Sequence, residues 1–476
     1  MKILKYIILS WLALWSLSSC TDDESFTTSA SHLLTFSVDS VRVDTIFSNV
    51  PSSTRTFWVY NHSGDGIRCT QVRLERGNQS GFRVNVNGIY LSPETGYQTQ
   101  GLELRNKDSV QVFVEVTAPA NNQSEPTKLE DNLLFTLESG VVQKINLNAY
   151  AWDAQLLKNV HITRDTTLAG TLPRVIYGEL TVDSGATLTL APGTTLYFHG
   201  DAGMQVYGRL KSNGTAGQEV MLRGDRLDRM FDYLPYDGVS GQWKGIRFHT
   251  SSYDNELFYT DLHSTFDGVV CDSSDIEKTT LVLENSTIHN CQGYGLLAVN
   301  SRVVANNTQI TNTLNDCLHL DGGHAMLNQC TLAQFYPFDA NRGAAIAFTD
   351  KYPLLLLDVK NSLMTGYADD VLMGTRQDDS GVFNYHFADC VIRTPSVEAP
   401  DDVNFERVLF EDVKDTVTMG TKHFKDIDGA RQRYDFSLSS ASAAIGRADA
   451  ATSLPTDRKG TPRDDKPDVG AYEYKE

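Results

Sequence analysis

Apolar and polar residues alternate with period two through LLTFSVDSVRVDTIF, RTFWVYNH, GIRCTQVRLE, FRVNVNG, DSVQVFVEVTA, NLLFTLES and VQKINLNAYAW. Alternation broken by Asn, Gly and Ser, with no helical stretch between, predicts an antiparallel β-sandwich over residues 33–153. From about residue 160 the rhythm shortens. IYGELTVDSGATLTLAPGTTLYFHGDAGMQVYGRLKSNG is a chain of very short strands with Gly or Asn every few residues. Repetition then becomes explicit: ENSTIHN, NNTQITN and NQCTLAQ align so that Ile288, Ile310 and Leu332 recur at steps of 22 residues. Val282, Val304 and Met326 share that register, as do Leu296 with Leu318, and Asn285, Asn307 and Gln329 align as well. Such a period predicts a coil of three short strands per turn that buries like on like and stacks side-chain amides in a ladder. A leucine-rich repeat would need a helix or its own consensus, and neither is present. The expected fold is all-β: a sandwich followed by a right-handed parallel β-helix over residues 154–425 and a C-terminal cap over 426–476.

Two resemblances refine this picture. TFWVYNHSGDGIRCTQVRLERGNQSGFRV resembles the Ig-like sandwiches that precede other domains in bacterial surface proteins, which implies a spacer. PRVIYGELTVDSGATLTLAPGTTLYFH, VYGRLKSNGTAGQEVMLRGDR and GQWKGIRF look like the opening of a family of right-handed β-helix lipoproteins of Bacteroidetes, with a pectin-lyase-like fold. The ending SAAIGRADAATSLPTDRKGTPRDDKPDVGAYEY is similar to their closing segment, through Asp468, Gly470, Ala471, Tyr472 and Glu473. This resemblance covers most of residues 160–476 and implies a fold and a location, not a reaction. The closing segment is expected to shield the open coil edge, whose N–H and C=O groups would otherwise be unpaired.

The N-terminus changes where such a protein would work. Lys2 and Lys5, an apolar run from Ile7 to Leu17 and then Leu17-Ser18-Ser19-Cys20 describe a secretory signal over residues 1–19. Its ending resembles the lipobox of bacterial lipoproteins, which implies acylation of Cys20 and a lipid anchor in the outer membrane. Residues 20–32 form a tether. Its Thr21-Asp22-Asp23-Glu24 resembles the surface-export signal of Bacteroidetes lipoproteins, which implies a cell-exterior location. The formal net charge of −19 argues against nucleic acid or anionic lipid headgroups as partners, since both need clustered cations. Beyond Cys20, six cysteines remain without a CxxC pair, so cysteine zinc sites and redox chemistry are not expected.

Candidate chemistry begins with LHLDGGHA, which sets Asp321 and His324 around Gly322-Gly323. By register, Leu318 and Leu320 point inward, His319 points out, and the glycines form the bend. Polygalacturonase-type glycosidases use Asn-Thr-Asp, Asp-Asp, Gly-His-Gly and Arg-Ile-Lys in that order, with paired carboxylates as acid and base. Here Asp369-Asp370 follows the histidine turn, and neither Gly-His-Gly nor a later Arg-x-Lys occurs. A lyase would need a calcium-binding carboxylate cluster and a basic residue. Asp316, Asp321, Asp339, Asp369 and Asp370 could supply the first, and Arg342 the second. The acidic pairs Asp378-Asp379 and Asp401-Asp402 could also bind calcium, without EF-hand or RTX spacing.

Binding has better material in two insertions. GDRLDRMFDYLPYDGVSGQW carries Phe231, Tyr233, Tyr236 and Trp243, and FYPFDANRG carries Phe335, Tyr336, Phe338 and Arg342. Aromatic rings flanked by Arg and Asp suit sugar stacking or a protein hot spot. The sequence therefore favours a non-catalytic surface for a glycan or an envelope or host protein, with no resident cofactor or metal. An atypical polysaccharide lyase or hydrolase, and a purely structural envelope component with its loops packed flat, remain the alternatives.

Overall fold

A computed structural model describes residues 25–476 apart from 171, 232, 378–380 and 399, so the signal segment and Cys20 lie outside the described residues. The chain divides after Asp153 into two compact units. The first is a β-sandwich. One sheet orders Leu34–Phe36, Arg55–Asn61, Ser109–Val116, Phe82–Val86 and Ile89–Tyr90. The other orders Ser40–Phe47, Val142–Trp152, Thr127–Leu137, Ile67–Leu74 and Gln98–Thr99, with Leu102–Leu104 also on Ile67–Leu74. Alternation translates directly into burial: Val110, Val112, Val114 and Val116 all face the interior. The first predicted strand splits in two, because the chain switches sheets between Phe36 and Ser40. Pairing between these strands is antiparallel except where Val142–Trp152 runs parallel to Ser40–Phe47.

The second unit is a right-handed parallel β-helix. Its strands run from Gln155–Ile162 to Leu409–Phe410 in one continuous sheet of 26 strands. Three faces wind around one core. On the third face Leu196, Leu222, Leu262, Ile288, Ile310, Leu332, Met364 and Ile392 pair in unbroken succession, all buried. On the first face Met204, Ile246, Val269, Leu296, Leu318 and Ile346 do the same. The alignment of Ile288, Ile310 and Leu332 is thus a physical column. The 22-residue step is one coil length among several, since Val391 to Leu409 takes 18 residues, Leu262 to Ile288 takes 26, and other coils carry insertions. The six cysteines among the described residues are buried and free.

The amide ladder forms, in altered company. Asn307 donates to Asn285 at 3.1 Å, whereas Gln329 accepts from the Leu454 N–H at 2.7 Å. The closing segment explains this. It was expected over the coil edge; instead it turns back along the outer side of the third face. Phe424, Phe436, Leu438, Val469 and Ala471 pack onto the outward residues Ala333, Leu363 and Val391 and onto Phe335. The Tyr472 hydroxyl donates to Gln309 at 2.5 Å, the Ala471 N–H to the Thr331 hydroxyl at 2.9 Å, and Arg458 reaches Glu219 at 3.3 Å. Those outward positions are apolar or short and polar, so a covering layer is the way to bury them. The coil proper ends at Phe410, earlier than residue 425.

Gly322 and Gly323 form the expected bend inside the continuous strand Leu318–Asn328. Gly323 has φ +87°, and a Cβ there would lie 2.6 Å from the Ser301 carbonyl oxygen. Gly323→Ala should therefore cost about 2 kcal/mol or more, from left-handed strain plus backbone overlap. The check is a lower denaturation midpoint of the β-helix transition; an unchanged midpoint would contradict the bend geometry.

Candidate functional site

The turns joining the third face to the first form one corner along the coil. At residues 264–268, 291–295 and 313–317 these turns are short, whereas 224–245 and 334–345 are the two insertions. Both insertions thus stand on the same corner, and they touch: the Tyr336 hydroxyl lies 3.0 Å from the Ser240 hydroxyl.

The predicted aromatic residues divide between core and solvent. Trp243 is buried, stacked on Phe198 at 4.0 Å, and its indole N–H donates to the His263 carbonyl at 2.8 Å. Phe335 is buried among Phe424, Phe436 and Tyr367. Neither can meet a ligand, because a ring that fills the core has no free face. Tyr336 is almost fully buried, and Arg342 donates to its carbonyl while lying 5.1 Å over the Tyr367 ring. Tyr236 sits beneath the Arg226 guanidinium at 3.7 Å, and Arg226 grips Asp228 through two bonds of 2.7 and 2.8 Å. That internal pin shapes the first insertion. Above it, the antiparallel pair Arg229–Phe231 and Leu234–Pro235 projects Phe231 and Tyr233 outward, 54% and 53% exposed. Their rings lie 5.8 Å apart and within 12° of parallel. Phe338, 51% exposed, stands at the tip of the second insertion, and Phe266 is exposed on a short turn of the same corner.

Of the candidate acidic residues, Asp316 and Asp321 converge, on the first face beside the corner. Their shared partner is His319: Nδ1 lies 2.7 Å from Asp316 and Nε2 lies 3.3 Å from Asp321. Asp316 also accepts the Ala344 N–H at 2.7 Å, and Asp321 accepts from Thr349 at 3.0 Å and Lys351 at 3.1 Å. Burial opposes the charged form of His319, but the hydrogen bond and charge of Asp316, then Asp321, raise its pKa overall. Burial likewise opposes the Asp321 carboxylate, yet Lys351, Thr349 and His319 hold it below the usual range. This is a hydrogen-bonded, ion-paired network in which His319 joins Asp316 to Asp321 and Lys351 closes the far side.

The other candidates lie apart. His324 pairs in register with Arg302 on the second face, and burial and that guanidinium lower its pKa. Asp339 caps the Asn341 N–H at 2.8 Å. Asp369 is exposed, 3.4 Å from Arg393, and Asp370 is engaged by the Leu372 N–H and the Thr394 hydroxyl. The pooled carboxylate set therefore does not assemble. Asp378-Asp379 lies outside the described residues.

Two features went unforeseen. On the third face, beneath the first insertion, His263 and His289 stack 4.7 Å apart in adjacent coils. Both reach Asp261, at 2.8 and 3.1 Å, and the other nitrogen of His263 reaches Asp237 at 2.8 Å. The signal was Asp261-x-His263 followed by a histidine one coil later. At the far end of the coil, a cleft of about 480 Å³ is lined by Phe348, Phe383, Tyr385, Arg376 and Asp401. Gly374 leaves that space open, since a Cβ there would lie 2.8 Å from the Phe348 ring.

No protein-family model and no curated protein matches this chain. Solved structures do. A GH87 α-1,3-glucanase catalytic unit from Streptomyces thermodiastaticus is similar over 71% of this chain and 74% of its own, at 12% identity and a TM-score of 0.29. A family 123 glycoside hydrolase from Clostridium perfringens aligns over 27% of this chain, at 10% identity and a TM-score of 0.18; the chain spans about a quarter (26%) of its length. A human CEP192 PapD-like domain aligns over 29% of this chain and 97% of its own, at 12% identity and a TM-score of 0.17.

The His319 network has a definite pH signature. A raised histidine stabilises fully below its unfolded value of about 6.5, and that stability is lost as pH rises through the folded value. A depressed Asp321 stabilises above about 4, and that stability is lost only in stronger acid. The stability gap between wild type and His319→Gln should be widest near pH 5–6, about 1 kcal/mol, and shrink toward alkaline pH. Denaturant titrations across pH read this, and a gap that grows with pH would contradict the network.

Proposed function

We propose that this chain is a surface lipoprotein, anchored through Cys20, whose β-helix presents a non-catalytic glycan-binding corner. The observation that carries the reading is the solvent-facing, near-parallel pair Phe231 and Tyr233 on a loop pinned by Arg226, Asp228 and Tyr236. Exposed rings of this size are costly in water unless a partner covers them, and pyranose faces and aromatic faces are complementary in size and polarity. Pre-pinning the loop lowers the entropy lost on binding. The net charge of −19 directs the expectation toward neutral or amino-bearing glycans rather than polyanions. The saturated His319 network favours binding over acid–base cleavage. The lipid anchor and surface location rest on the N-terminal residues alone.

The test uses the full chain in detergent, with and without calcium, against pectins, glycosaminoglycans and neutral glycans. Retention, unsaturated-uronate absorbance and new reducing ends are followed together. The expected outcome is retention without product, weakened about five- to tenfold by Phe231→Ala or Tyr233→Ala, corresponding to roughly 1 kcal/mol per ring. Tyr385→Ala examines the end cleft separately: if it alone weakens retention, the binding site is the cleft and not the corner. Product formation would replace the binding reading with the lyase or hydrolase, and no retention would remove glycans as the ligand.

A further inference from the structure

The third face carries a cluster that the glycan reading does not use. Asp261 and His263 point to the same outward side of the strand Thr260–His263, being two residues apart, and His289 occupies the His263 position one coil on. One ligand atom from each of Asp261, His263 and His289 lies within 4.8 Å of the others. Stacking in register supplies what the chain spacing hides: two imidazoles and a carboxylate converging on one point from adjacent coils.

The surroundings have the form of a supporting shell. A metal-ligating histidine ordinarily gives its second ring nitrogen to a carboxylate that orients it. His263 does so, with Nε2 2.8 Å from Asp237, and Asp237 is itself held by Arg223 at 2.8 Å. Asp237 belongs to the first insertion, so the same contact ties that loop to the coil. Asp261 is the carboxylate that both imidazoles reach, whereas Asp237 pairs with Arg223 and Glu219 with Arg458. Access is retained, since the side chains of Asp261 and His289 are 22% and 24% exposed while His263 is buried.

We propose that Asp261, His263 and His289 form a site for a divalent transition-metal ion of the zinc type, with Asp237 as the positioning residue for His263. Two imidazoles and one carboxylate suit zinc and its neighbours and are poor ligands for calcium or magnesium, which take oxygen. Three protein ligands leave one position of a tetrahedral ion for water on the exposed side. The direct contacts of 2.8 and 3.1 Å between ligand atoms open slightly to admit the ion. The site stands independently of the glycan reading, and either can fail alone.

The test is metal binding by the full chain, first stripped with chelator and then titrated with Zn²⁺, with elemental analysis after dialysis. One equivalent is expected. Co²⁺ in its place should give the intense visible absorption of a four-coordinate ion. Asp261→Asn and His289→Ala should lose the stoichiometric metal while keeping the far-ultraviolet circular dichroism of wild type. Asp237→Asn should weaken affinity roughly 10–100-fold. His161→Ala, at an exposed histidine outside the cluster, should bind as wild type. Folded wild-type protein that retains no zinc would overturn the proposal. So would retention unchanged in both Asp261→Asn and His289→Ala.

Discussion

Everything in the second unit depends on parallel hydrogen bonding between successive coils. Each strand pairs with the one a turn before and a turn after, so a side chain is forced above its counterpart whatever the chain length between them. Inward, this yields columns such as Leu262, Ile288, Ile310 and Leu332, in which apolar surface is buried continuously. Outward, it turns single residues into ladders. His263 over His289 is such a ladder, and so is Asp321 over Thr349. The chemistry on this fold is set by which polar residue happens to share a column with which.

The same constraint explains the turn into the third face. Asn285, Asn307, Gln329, Asn361, Asp389 and Arg407 all have positive φ there. Asparagine tolerates this conformation better than other side chains. Its side-chain amide can then bond along the stack or outward, and the closing segment uses both Asn307 and Asn361. Asn307 donates to the Thr456 carbonyl and accepts from Arg463, while Asn361 accepts the Asp449 N–H. The closing layer is thus keyed to a ladder created by the coil, and it buries an outer face that would otherwise be wet.

Much of this was legible in the chain. The sandwich strands could be read because alternation is the signature of a sheet with one buried face, and the coil because three turns share a 22-residue step. The site was less legible for three physical reasons. Ring side chains in an insertion look alike in sequence whether they fill the core, as Trp243 and Phe335 do, or face water, as Phe231 and Tyr233 do. His263 and His289 are separated by a 26-residue coil, outside the 22-residue register, so their convergence is visible only once pairing is known. The closing segment has no periodicity, and its lateral course follows from outward apolar residues such as Leu363 and Val391, which resemble inward ones in a short strand.

The central claim is that the coils form one cooperative stack on which the corner loops ride. Amide hydrogen exchange on the intact chain tests it most directly. Strand amides along the third-face column, from Leu262 to Ile392, should exchange together at the slowest rate, by global opening of the unit. Residues 229–235 of the first insertion should exchange far faster without disturbing them. Blocks of coils that open separately, or an insertion protected to the same degree as the column, would contradict this account.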